Sequence, residues 1–422
     1  MLREAGDQLN DRLLRGALYM AIHAVAAAQT GESTDAAPCL ISEKVCSEAA
    51  ILLRSVSSQS GKNAELESRL TALLMPRELD QLGVSLSLHP GIALDLALVP
   101  LHLRDLELGD PRLEPLLADL FGAERLTGPE RPAHRRLEQL WLHGLWTGSP
   151  DRQRIALALT DSALAWEFDH LSGTTDDAYA FTHAILYATD HGRNEADLPR
   201  PIEQIEADAD AMLAVALDAG NHDLATEILW TWPMLGLDWS PLAATAHDFL
   251  AGIARREGFL PGPGFDQTVC DELPAEQREL YILQTSYHTT FVHGMLVAAV
   301  RDRAARATVA VRDREVRVAD AAEIPPVPFV PLAAARFAEA LPSLPVSEQW
   351  WDYVSELSLE RRDALGIAFT AMALRRAAAT ADIGAVHNVL LLAEECDLPM
   401  TPPLRQAYLL LHRAMACAQL AG

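Results

Sequence analysis

Thr174-Thr-Asp-Asp-Ala-Tyr-Ala-Phe-Thr-His-Ala-Ile-Leu-Tyr-Ala-Thr-Asp-His-Gly192 reads as one helix with both ends marked. Thr174 can cap the first turn, Asp176 and Asp177 place carboxylates where the helix dipole favours them, and Gly192 is positioned to stop the chain. Steps of four, four and three put Tyr179, His183, Tyr187 and Asp190 on one face. A face expected to be apolar thus carries a row of hydrogen-bonding side chains.

Outward from this segment the same spacing persists. Apolar residues recur every three or four positions through most of the chain, and Leu, Ala and Arg dominate, so amphipathic helices in series are expected. The fold class that follows is all-α. Two internal similarities support helix pairs. Leu213 to Pro241 aligns with Leu374 to Pro402 at a fixed offset of 161, and Asp177 to Gly192 aligns with Glu279 to Gly294 at an offset of 102. Such pairs bury their faces only against neighbours, which points to an α/α-toroid or an α-solenoid.

Punctuation at Thr127-Gly128-Pro129 suggests an N-terminal helical region, 1–128, and a helical-repeat region, 129–422, that carries the site. Alternating β-branched residues around Arg312, Asp313 and Arg314 suggest a β-hairpin-like excursion near 307–320. A Pro-rich connector at 321–331 follows, and it cannot be helical.

Composition narrows the chemistry. The chain has 422 residues with 59 Asp+Glu against 34 Lys+Arg, a net charge of −25 that repels phosphate backbones and anionic lipid, so neither nucleic acid nor a membrane is expected as partner. Lys44 and Lys62 are the only lysines, and no Gly-rich loop ends in Gly-Lys-Ser/Thr. Pyridoxal phosphate (PLP) chemistry and P-loop nucleotide binding are therefore not expected. Cys39, Cys46, Cys270, Cys396 and Cys417 form no CxxC pair and read as reduced thiols. The apolar stretch from Ala17 to Ala28 is too short for a transmembrane span, and a cytoplasmic location is expected.

A second polar stripe, Tyr281, Gln284, Thr285 and His288, lies on a helix beginning near Pro274; His293 points elsewhere. His183, His288, Asp190 and Tyr187 are the candidate catalytic residues, with imidazoles suited to proton transfer near neutral pH. Tyr179, Tyr281, Gln284 and Trp232 are the candidate substrate-binding residues. His183, Asp190 and His288 together have the composition of a two-histidine, one-carboxylate set for iron or zinc, although His183 and Asp190 lie roughly 10 Å apart along the helix axis. Satisfied core residues are the alternative for each of these side chains.

Asp176-Asp177 and Asp208-Ala-Asp210 do not complete a terpene-cyclase arrangement and read as first-turn or surface carboxylates. No Gly-x-Ser-x-Gly elbow is present.

Thr182-His183-x-x-x-Tyr187-x-x-Asp190-x-Gly192 and Ser286-Tyr287-His288-Thr289 resemble patches of an uncharacterised family of helical actinobacterial proteins, some associated with natural-product pathways. The resemblance spans about residues 130 to 420 and implies a biosynthetic setting, without any transferable catalytic role. A cytoplasmic enzyme acting on a small organic substrate is the expected function, a homo-oligomer is compatible with it, and a helical-repeat binding scaffold is the alternative.

Overall fold

In the computed structural model the described residues are 2–57, 63–75, 79–88, 93–122, 131–314 and 347–421. They are helical throughout, with no strand among them. The first six helices are α1 (Leu2–Thr30), α2 (Ser42–Ser57), α3 (Ala64–Leu74), α4 (Leu79–Leu88), α5 (Ala93–Asp105) and α6 (Glu114–Gly122). The middle of the chain forms α7 (Ala133–Thr147), α8 (Arg152–Leu159), α9 (Thr175–Ala188), α10 (Ile202–Asp218), α11 (His222–Leu229), α12 (Thr231–Leu235) and α13 (Pro241–Glu257). After α14 (Gln267–Glu272), the long α15 (Ala275–Arg314) leads to α16 (Glu348–Glu356), α17 (Leu359–Asp363), α18 (Gly366–Ala379), α19 (Ile383–Glu395) and α20 (Pro402–Ala421). None of them is long and apolar enough to cross a membrane.

The expected hairpin is corrected where it can be seen. Residues 307–314 continue α15 as helix, while 315–320 and the connector at 321–331 lie outside the described residues. A helix already running from Ala275 gains one backbone hydrogen bond for each residue it adds, and that outweighs the weak strand preference of three scattered β-branched residues.

Most buried side chains belong to one large core that draws on residues from Leu13 to Ala407, and a smaller cluster gathers α4 to α7 around Leu86, Leu101, Leu117 and Trp141. Within the large core α1 and α2 lie along α15. The approach is close at Gly294, where an added Cβ would stand 2.6 Å from Ala17 Cβ and 3.0 Å from Leu52 Cδ1. Only a residue without a side chain lets the three helices meet there. One consequence matters for the site, because this contact brings Glu48 of α2 alongside His288 of α15.

The aligned segments at offset 161 fold into helices with matching bounds. α10 and α18 end at Asp218 and Ala379, α11 and α19 start at His222 and Ile383, and α13 and α20 start at Pro241 and Pro402. Asn221 and Asp382 cap the second helix of each pair, accepting from Leu224 N–H and Ala385 N–H.

Asp208 is not the surface carboxylate its sequence neighbourhood suggests. It is fully buried on α10, where it accepts from Arg200 at 2.7 Å and pairs with His170 Nε2 at 2.8 Å. Asp218 at the end of α10 is likewise held by Arg376, with Trp351 Nε1–H donating at 2.9 Å.

Candidate functional site

α11 is an eight-residue helix whose every residue is buried, yet two of them are acids. Asp223 and Glu227 are one turn apart and so emerge on the same face. That face looks toward α9 and α15.

From α9, Tyr179 Oη donates to Asp223 Oδ2 at 2.6 Å and Thr182 Oγ1 donates to Glu227 Oε2 at 2.7 Å. From α15, Thr289 Oγ1 donates to Asp223 Oδ1 at 2.7 Å. The hydroxyls satisfy the carboxylates without neutralising them. Two imidazoles complete the ring of neighbours. His183 Nε2 stands 3.7 Å from Glu227 Oε2, and His288 Nε2 stands 3.6 Å from Glu227 Oε1 and 3.7 Å from Asp223 Oδ1.

His288 is fixed from behind. Its Nδ1 lies 2.9 Å from Glu48 Oε2, and because a carboxylate only accepts, Nδ1 carries the hydrogen and Nε2 is aimed at the two α11 carboxylates. Glu48 itself has Lys44 Nζ at 3.7 Å on its outer side. Both histidine side chains remain 32% exposed, against 4% for Glu227, so solvent and small solutes reach the imidazoles while the carboxylates stay covered.

The electrostatics follow from this layering. Burial opposes a charge on His288, but Glu48, Glu227 and Asp223 outweigh it and hold the ring well above the ordinary imidazole range. Burial raises the Glu227 carboxyl, and the neighbouring His288 and His183 imidazoles reverse that, leaving it below its ordinary value. Burial and the Asp223 charge push the Tyr179 phenol upward. His134 on α7, whose ring centroid is 5.9 Å from that of His183, is pushed down to about 4 by burial, by His183 and by Arg135.

Of the residues singled out in the sequence, His183 and His288 come together on opposite oxygens of Glu227, and Tyr179 joins them through Asp223. Asp190 is engaged elsewhere. Arg54 Nη1 and Nη2 donate to its two oxygens at 2.7 and 2.9 Å, and Trp141 Nε1 donates to Oδ1 at 2.6 Å. With φ of 48° it has already left the helix, which is why the three-residue step from Tyr187 does not keep it on the stripe.

The other candidates are placed as follows. Tyr187 Oη donates to Glu138 at 3.0 Å. Tyr281 is buried and its hydroxyl accepts from Asp266 N–H at 3.0 Å. Gln284 ties down the 34–38 loop through Thr34, Ala37 and Pro38. Trp232 is fully buried with Trp239 stacked at 6.3 Å. In these positions Tyr281, Gln284 and Trp232 hold structure around the site.

Sequence reasoning missed Glu48, Asp223 and Glu227. One signal was available for the α11 pair: at offset 161 their counterparts are Gly384 and Asn388, so two carboxylates appear in one copy of a matched helix and not in the other. Nothing near Glu48 distinguishes it from a surface acid, since its role depends on the contact of α2 with α15.

Asp223, Glu227 and His288 each offer one ligand atom, and the three atoms lie within 4.8 Å of one another. Bonds of about 2.0–2.2 Å to one ion place neighbouring donors about 3.0 to 3.6 Å apart. The separations of 3.6 and 3.7 Å at His288 Nε2 are close to that spacing and longer than a normal hydrogen bond.

The family model described as Domain of unknown function (DUF6895) matches residues 14–298. The chain belongs to this family. The match starts in α1 and stops within α15, so it takes in Glu48, His183, Asp223, Glu227 and His288 together. No curated protein and no solved structure matches the chain.

Proposed function

We propose that this protein is an enzyme acting on a small organic molecule, with the place where α9, α11 and α15 meet as its working site. The observation that carries this reading is that two half-exposed imidazoles on separate helices share one buried carboxylate, Glu227, with no arginine or lysine on it among the described residues. A structural ion pair has no need of that arrangement; a group that exchanges protons with a solute does.

In this reading His183 is the solvent-facing acid or base, oriented by Glu227 and flanked by Tyr179 and Tyr187 at 6.1 and 5.9 Å between ring centroids. His288, locked by Glu48, belongs to the electrostatic floor of the site. The three carboxylates around it favour a neutral or cationic substrate over an anionic one. A cytoplasmic, biosynthetic setting fits the family resemblance, and the matched pairs α10–α11 and α18–α19 fit a helix-repeat framework of the toroid or solenoid kind.

The test is substrate-free in design. Purified protein is incubated with small-molecule extract of its source cells, and the mixture is compared by untargeted mass spectrometry with one containing His183→Ala that retains its helical circular dichroism. Consumption of a compound by the native protein alone supports the reading; identical profiles in both contradict it.

A further inference from the structure

We infer that Asp223, Glu227 and His288 bind one divalent first-row transition-metal ion, with Glu48 as the residue that orients His288. This deepens the reading of that meeting place as a working site and rests on it. It also replaces the ligand set expected from the sequence, since the carboxylates come from α11 and not from Asp190.

Charge is the first ground. Asp190, Asp208 and Asp218 are buried carboxylates on Arg54, Arg200 and Arg376, and Glu138 is a fourth on Arg135. Asp223 and Glu227 are as deeply buried, with side chains 7% and 4% exposed, and among the described residues their cationic neighbours are imidazoles alone. Counting Glu48 and the Lys44 beside it, three carboxylates and one ammonium surround His288, so even an imidazolium there leaves the group one charge negative. A divalent cation supplies the missing charge.

Geometry is the second, independent ground. In the ion's absence His288 Nε2 should close onto one carboxylate at about 2.7–2.9 Å, the length of a charge-assisted hydrogen bond. It stands instead nearly equidistant from two, at 3.6 and 3.7 Å. The same ring makes a 2.9 Å bond on its other side to Glu48, so the wide spacing is particular to the side where an ion would sit. Carboxylate, imidazole and metal in line is the usual way a ligating histidine is held. Tyr179, Thr182 and Thr289 hold the carboxylates in place from outside.

The donor set of two oxygens and one nitrogen suits manganese, iron, cobalt or zinc better than calcium or magnesium, which prefer oxygen alone. Three protein donors leave coordination positions for water and a substrate atom.

The experiment uses the full chain, purified without an affinity tag, stripped with chelator and titrated with Zn2+ and with Mn2+ by calorimetry, alongside elemental analysis of the unstripped protein. The expected result is about one site per chain, weakened at least ~100-fold in Asp223→Asn and in Glu227→Gln and about 10- to 100-fold in Glu48→Gln. His183→Ala and Asp190→Asn should leave that affinity within a few-fold. Circular dichroism separates lost binding from lost folding, and the near-isosteric Glu227→Gln is the variant least exposed to that ambiguity. A native protein that takes up neither ion, or one whose uptake is indifferent to Asp223→Asn and Glu227→Gln, overturns the inference. Absent metal uptake in a protein that still consumes a compound in a His183-dependent manner overturns it while leaving the enzymatic reading standing.

Discussion

Asp218 and Glu227 lie on consecutive helices, α10 and α11, and both are at least nine-tenths buried, yet they are solved differently. Asp218 is gripped by the Arg376 guanidinium with an indole N–H alongside, a permanent pairing that satisfies charge and hydrogen bonds together. Glu227 is met by a threonine hydroxyl and by two imidazoles that stand too far away for ordinary hydrogen bonds. The first arrangement is finished without any further species. The second leans on imidazoles, whose charge depends on pH, and on a hydroxyl that carries none.

The largest effect should come from breaking the finished kind. Asp218→Asn leaves Arg376 buried without its counter-charge and should cost about 3–5 kcal/mol in urea denaturation. Glu227→Gln, made in metal-free protein, should cost less than that, because its partners are imidazoles at 3.6 and 3.7 Å and not a guanidinium in hydrogen-bond contact. Equal losses for the two would erase the distinction between them.

Next in size is Gly294→Ala. Its methyl group would meet Ala17 Cβ, so α1 and α2 must shift from α15 at about 1–3 kcal/mol, and Glu48 should move with them. Weaker metal uptake in that variant, read by calorimetry, would sharpen the claim that the N-terminal helices complete the site.

Smaller again is Thr174→Ala, which removes the capping box formed with Asp177 and should cost about 1 kcal/mol by thermal melting. Because the cap lies more than a turn before Tyr179, Thr182 and His183 and touches none of the cluster, metal affinity should hardly change.

The Arg-paired class also has a pH signature. Burial opposes ionisation of Asp190, but the neighbouring His191 and the Arg54 guanidinium outweigh it and hold its carboxyl below the ordinary range. Its folded pKa is therefore lower than its unfolded one, so its contribution is present above the ordinary carboxylate range and is lost as pH falls through the folded value. Melting temperature followed from pH 7 downward should decline less steeply in Asp190→Asn than in the native chain.

The class of fold was legible because three- and four-residue spacing and local end signals are short-range properties of sequence. Thr174, Asp177 and the small-residue turn before α11 do locally what the spacing says they do. Half of the candidate site was legible for the same reason, since a polar stripe on α9 marks a helix with unusual company. The rest was not, because Glu48 meets His288 across 240 residues and Asp223 meets Tyr179 across 44. Asp190 misled for a local reason: a left-handed backbone at the helix end breaks the periodicity that placed it with His183. The excursion expected near 307–320 misled over 307–314, where alternation across a few residues does not outweigh helix propagation.

The most direct test is a crystal grown with Zn2+ or Mn2+ and measured on both sides of the metal absorption edge. The account predicts one anomalous peak at about 2.0–2.2 Å from Asp223, Glu227 and His288 Nε2, with His288 Nδ1 still on Glu48. A map without a peak there, with His288 Nε2 closed directly onto one of the two carboxylates, would contradict it.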